Sequence, residues 1–177
     1  MFGRLSLDAL PHDPVTIGGV LGGTVGLLIL IALMTYFKKW GWLWREWLTS
    51  LDPKKIGVMY IVVAVIMLLR GLADVAMLRT QQAIFATGTN SPISPDLFQQ
   101  VFSAHGTIMI FFVAMGVVFG LINLIVPLQI GARDVAFPLL NSIRFWLLVA
   151  GMMLMNVTLG LGAFSAARWL AYPLFSV

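Results

Sequence analysis

Two long stretches without a single Asp, Glu, Lys or Arg decide what this chain can become. They run from Val15 to Phe37 and from Val101 to Ala132. At 1.5 Å per helical residue, the first alone covers a hydrocarbon core about 30 Å thick. With 60% hydrophobic and 10% charged side chains among 177 residues, the chain has less than half the charge of an ordinary soluble domain. The expected class is therefore all-α: a polytopic membrane protein of four transmembrane helices in an antiparallel up-and-down bundle. The spans are placed at Val15–Phe37, Ile56 to about Leu78, about Leu97 to Ile125, and Pro138 to about Ala167.

Charge orients these spans. The net charge of +4 does not mark a nucleic-acid binder, because Lys38, Lys39, Arg45, Lys54 and Lys55 gather in one short connection. Such a cluster belongs on the cytoplasmic side, which puts the N-terminus outside, periplasmic for a bacterial inner membrane. Thr80–Gln99 has no Lys or Arg and Gln129–Phe137 carries Arg133, in agreement. Trp40, Trp42, Trp44 and Trp47 in the basic connection read as headgroup-level anchors rather than a cofactor box. Met1–Pro14 leads into an apolar run longer than a signal-peptide core, so the first span is expected to be an uncleaved anchor. Gly18, Gly22 and Gly26, with Gly19 and Gly23 beside them, form two small-residue faces expected to pack against another helix. The absence of cysteine removes disulfides, thiolate metal sites and Cys nucleophiles.

Polar residues at membrane depth are the candidate site. Arg70 and Asp74 lie four residues apart on one helical face and can pair; they serve either as a self-neutralising pair near the outer headgroups, with Arg79 as a surface anchor, or as part of a site. His105 is the only titratable group between Val101 and Ala132. It either bonds a neighbouring helix or acts as an axial haem ligand, with Gly106 leaving room for a flat macrocycle. Counted from the helix ends, His105 and Arg70 fall at nearly the same depth, with Gln100 about one turn further out. Such a group suits quinol oxidation: Arg70 donates to a ring oxygen, Asp74 takes a proton, Gln100 does either, and iron on His105 takes the electron. At the inner end, Asn123, Asp134 and Asn141 are read either as ordinary caps and loop solvation or as the mouth of a proton path. Asn156-Val157-Thr158 matches a glycosylation triplet by accident, inside the fourth span.

Several strings closely resemble subunit I of the haem-copper oxidases: Trp47-Leu48-Thr49-Ser50, Gly57-Val58-Met59-Tyr60-Ile61, Met67-Leu68-Leu69-Arg70-Gly71, Ala104-His105-Gly106-Thr107-Ile108-Met109 and the run from Val126 to Pro138 with its Gly131-Ala132-Arg133-Asp134 core. The extra N-terminal span and the Arg70/Asp74 pair resemble the cytochrome bo-type ubiquinol oxidases within that family. The resemblance implies that His105 is one axial ligand of the low-spin haem b. It implies further that Arg70, Asp74 and Gln100 hold ubiquinol, with Arg79 in the same cofactor-binding set, and that Asp134, Asn123 and Asn141 open a D-type proton channel. Leu97 departs from it, standing where the family's quinol oxidases usually have a His, and it can neither donate nor accept a hydrogen bond.

The resemblance places the second low-spin haem ligand, the high-spin haem ligand and the copper ligands on later helices. The only other histidine here is His12. The chain is thus expected to be one part of a longer subunit, active as a quinol oxidase only when another chain and the other oxidase subunits supply the rest. Two further readings are a non-catalytic membrane scaffold or assembly piece and a menaquinol oxidase of the same superfamily.

Overall fold

A computed structural model describes residues 14–86 and 93–160. Among these the chain is helical throughout, without strands: α1 Pro14–Tyr36, α2 Trp40–Leu48, α3 Pro53–Ala86, α4 Pro95–Gln129 and α5 Pro138–Gly160. Three of them, α3, α4 and α5, are long and apolar enough to cross a membrane, and a fourth crossing follows if α1 and α2, bent by 102°, count together. His12 and the tail containing Arg168, Trp169 and Tyr172 lie outside the described residues.

The three long helices start in the same way. Each has Pro at its first position, where the missing N–H is an orphan in any case. Before α3, Asp52 accepts the Lys54 N–H at 2.9 Å; before α4, Ser94 accepts the Leu97 N–H at 3.3 Å. These caps explain why the helices begin two or three residues before the hydrophobic runs.

Two span ends differ from the expected ones. α3 continues eight residues beyond Leu78, so that its 34 residues extend about 51 Å. Gln81 is the reason: its amide donates to the Ile93 carbonyl and accepts the Ile93 N–H, tying the end of α3 to the start of α4. α4 passes through Pro127 and stops only at Gln129. It also contains a π-helical stretch, Ile108–Ala114, that begins three residues after His105. Such stretches are frequent at functional positions. α5 is helical to Gly160, and 161–167 lie outside the described residues.

Three apolar clusters join α3, α4 and α5. Ile56, Met59, Tyr60 and Val63 of α3 pack on Phe145 of α5 and Phe119 of α4. Met67 packs on Ile108 and Phe112, with Met152 and Met155 of α5 alongside. Leu78 meets Leu97, Val101 and Ala104, again with Met155. Positions ascending along α3 thus meet positions descending along α4. The closest approach is at Gly57 and Gly120, where a Cβ on either residue would come within 3.0 Å of the other's carbonyl oxygen. Only glycine allows this contact. α1, by contrast, leaves its row open: Gly18, Gly22, Gly23 and Gly26 have nothing within 4 Å of a Cβ, so the expected packing of that face is not made within the described residues.

Candidate functional site

Arg70 and Asp74 pair as their spacing requires, with Arg70 Nε donating to Asp74 Oδ1 at 3.2 Å. Both side chains are largely buried, at 15% and 10% exposure, so this is not a surface pair screened by water. The second carboxylate oxygen, Asp74 Oδ2, is buried and receives no hydrogen bond among the described residues. A buried acceptor left open in this way is costly unless something donates to it.

The other side of the guanidinium is held from α5. Arg70 Nη1 donates to Asn156 Oδ1 at 2.8 Å, and Asn156 Nδ2 is fixed by the Met152 carbonyl at 2.8 Å. Two of the five guanidinium hydrogens are engaged in these bonds among the described residues. Asn156 was passed over in the sequence as part of a fortuitous glycosylation triplet. The available signal was an amide in the middle of the uncharged run that follows Arg144, where a polar side chain marks an interhelical contact.

One residue along α3, the Gly71 carbonyl lies 3.0 Å from His105 Nδ1. A carbonyl only accepts, so Nδ1 carries a proton, and in the neutral ring the lone pair is then on Nε2. No protein group among the described residues bonds Nε2. That is the state required of an imidazole that ligates iron, with the far nitrogen oriented by a backbone acceptor. His105 is half-buried, and the residues present fit one axial position of a haem. The approach is close: a Cβ at Gly71 would stand 2.8 Å from Met109 Sδ, the far end of a flexible side chain, and in ordinary contact with His105 Nδ1 at 3.7 Å.

Two expected members are not brought in. Gln100 is half-buried and makes no hydrogen bond among the described residues; five residues at 100° each set it about 140° around α4 from His105. Arg79 is exposed and donates to Gln82 at 3.2 Å, half a turn around the helix from Arg70. Leu97 is buried in the apolar cluster with Leu78 and Val101, offering no polar group.

At the opposite end, Asn141 Nδ2 donates to Asn123 Oδ1 at 2.6 Å, and Asn123 Nδ2 donates to the Phe119 carbonyl at 2.8 Å. Both amides border a cavity of about 350 Å³ together with Val135, Phe137 and Arg144. Asp134 is not among its lining residues; it is exposed and its Oδ1 accepts the Val135 N–H at 2.8 Å. This is the turn-capping role weighed for it in the sequence.

The basic connection is tied by Lys55 Nζ donating to Glu46 Oε2 at 2.7 Å. That bond, with the lysine's charge, holds the Glu46 carboxyl below its ordinary value. Trp40, Trp42 and Trp44 are exposed, and Trp47 packs beside the lower cluster.

Comparison with known proteins gives the family. The family model "Cytochrome C and Quinol oxidase polypeptide I" matches residues 55–176. Ubiquinol oxidase subunit 1 of Acetobacter aceti is 51% identical over 98% of this chain and 26% of its own length. Cytochrome bo(3) ubiquinol oxidase subunit 1 of Buchnera aphidicola subsp. Schizaphis graminum is 52% identical over the same shares. Quinol oxidase subunit 1 of Bacillus subtilis is 48% identical over 93% of this chain and 25% of its own length. The chain spans about a quarter of the length of these curated relatives. On the match of the family model and on these identities, the chain belongs to the cytochrome c and quinol oxidase polypeptide I family, the subunit I of haem-copper oxidases.

Proposed function

We propose that this chain forms the quinol-binding and electron-receiving end of subunit I in a respiratory ubiquinol oxidase. In this reading it is a four-span up-and-down bundle in a bacterial inner membrane, with its N-terminus periplasmic. The observation that carries the reading is the buried Asp74 carboxylate, with one oxygen on Arg70 and the other open. A quinol hydroxyl satisfies that oxygen as a donor, and the remaining Arg70 hydrogens bond the ring oxygen. Asp74 then takes the proton toward the outer face while Arg70 holds the developing oxyanion.

His105 would hold low-spin haem b through Nε2, with Nδ1–H on the Gly71 carbonyl. When bound, haem supplies the one-electron chemistry that no side chain here possesses. Proton and electron part at the site because acceptor carboxylate and ligand imidazole are different residues joined through Arg70-Gly71. Oxygen reduction, the second haem, copper and proton translocation require the remaining three-quarters of the subunit and its partner subunits. Asn123 and Asn141, with Asp134 outside them, would border the proton-channel entrance.

The test is steady-state quinol kinetics of the assembled oxidase with Asp74→Asn and Arg70→Leu, alongside a reduced-minus-oxidised spectrum. Turnover is expected to fall by about 100-fold or more while the low-spin haem signal persists, as for loss of a proton acceptor or a charged hydrogen bond. Unchanged kinetics would remove the quinol assignment. A low-spin signal that survives His105→Ala would remove the ligand assignment.

A further inference from the structure

The cavity between α4 and α5 carries a charge that the redox reading leaves unused. Arg144 lines it together with Asn123, Val135, Phe137 and Asn141, and neither Asp nor Glu is among the lining residues. The guanidinium lies 4.9 Å above the centroid of the Phe119 ring, which restrains its plane. Among the described residues the ion pairs are Glu46 with Lys55 and Asp74 with Arg70, so this cation has no carboxylate.

Its position along the span is informative. Arg144 is six residues into α5, about 9 Å from the start of the helix, and a helical side chain leans back toward the N-terminus. The arm therefore carries its charge toward the level of the connecting turn, where lipid headgroups lie. On the same lining, Asn141 Nδ2 has used one hydrogen on Asn123 and keeps the second.

We propose that this cavity is an anion site that takes a phosphate group, seated on the Arg144 guanidinium with the free Asn141 hydrogen as a second donor. A planar guanidinium matches two phosphate oxygens at once, and a stacked one has little freedom left to lose on binding. The phosphate comes either from an anionic phospholipid of the inner leaflet or from free phosphate. The proposal stands independently of the quinol reading and places the anion at the same pair of amides that the proposed function puts at the proton-channel entrance.

The experiment uses the complete oxidase complex containing this chain, delipidated and then titrated with phosphatidylglycerol, phosphatidylcholine or inorganic phosphate. Bound lipid is counted by native mass spectrometry and bound phosphate by phosphorus NMR. Wild type is expected to hold one phosphatidylglycerol that Arg144→Gln binds about tenfold or more weakly, with Arg144→Lys in between and phosphatidylcholine at least about tenfold weaker than phosphatidylglycerol. Binding of inorganic phosphate that depends on Arg144, without lipid retention, supports the site and assigns the free anion as its source. Equal retention by wild type and Arg144→Gln overturns the proposal. So does equal binding of the two lipids, or a wild-type affinity indifferent to ionic strength, a measurement that needs no variant to fold.

Discussion

His105 on α4 is positioned by the backbone of Gly71 on α3, Nδ1 to carbonyl oxygen at 3.0 Å, and Gly71 directly follows the arginine that grips Asp74. The imidazole and the carboxylate are thus referenced to one turn of one helix, and a side chain larger than a methyl at Gly71 is expected to disturb the imidazole. Gly71→Ala places its Cβ against Met109 Sδ, the movable end of a flexible side chain, and is expected to fold with the low-spin haem retained. Gly71→Val extends the clash toward the imidazole ring and is expected to shift the haem reduction potential or abolish haem uptake. Spectroelectrochemical titration of the two variants separates them; identical potentials would show that the contact orients nothing.

Asn156 couples α5 to the same site. Replacing it by Leu, of similar size, removes the acceptor of one Arg70 hydrogen bond while keeping the volume. Bonds to charged groups contribute about 1.5–3 kcal/mol, so kcat/KM for quinol is expected to fall roughly 10- to 100-fold with the haem spectrum intact. Asn156→Asp supplies a second anion close to Arg70 and should compete with Asp74 for it. Wild-type kinetics in the Leu variant would mean that Arg70 is positioned by Asp74 alone.

Close helix contact has its own test. A Cβ at Gly120 would lie 2.7 Å from Ile61 Cγ1 and 3.0 Å from the Gly57 carbonyl, the latter a backbone atom that cannot swing aside. Gly120→Ala is expected to destabilise the assembled protein by about 1–3 kcal/mol through overpacking, read as a lowered thermal midpoint in detergent. The corresponding Gly26→Ala change on α1 meets nothing and should leave that midpoint unchanged if the α1 face is unpartnered in the complex.

Glu46 offers a pH reading outside the membrane spans. Its carboxyl is held low by the hydrogen bond and charge of Lys55, so the stabilisation is present above the unfolded-state value and is lost as pH falls through the folded one. Lys55→Gln should return the carboxyl toward its ordinary value, an upward shift that isotope-edited infrared titration can follow. Because Glu46 is fully exposed to solvent, the effect on global stability is expected to be small.

Much of this was legible in the sequence, for identifiable reasons. Uncharged runs long enough for a bilayer locate the first and third spans, apolar runs interrupted by Arg70, Asp74 and Arg144 locate the other two, and the four-residue spacing of Arg70 and Asp74 allows their pairing before any fold is known. Span ends were less legible, because Thr80, Gln81 and Gln82 are polar yet compatible with helix, and only the bond of Gln81 to Ile93 shows why α3 continues. The Asn156 contact joins residues 86 apart in the chain, a distance at which periodicity carries no information. Gln100 and Arg79 show the converse: a count of residues gives depth well but direction around the helix only when the angle is worked through as well.

The pair of amides Asn123 and Asn141 allows the sharpest energetic test. Asn141 donates to Asn123 at 2.6 Å, and Asn123 is held in turn by the Phe119 carbonyl, so each single removal strands a buried polar group. Asn141→Leu leaves Asn123 Oδ1 without its donor and is expected to cost about 1–3 kcal/mol. Asn123→Leu strands Asn141 by a similar amount. Removing both strands neither, so the double variant should be less destabilised than the two singles summed, with a coupling of about 0.5–2 kcal/mol. Thermal unfolding of the four proteins completes the cycle. Strict additivity would mean that water already satisfies each amide, and the pair would then be two hydrated side chains bordering a wet cavity.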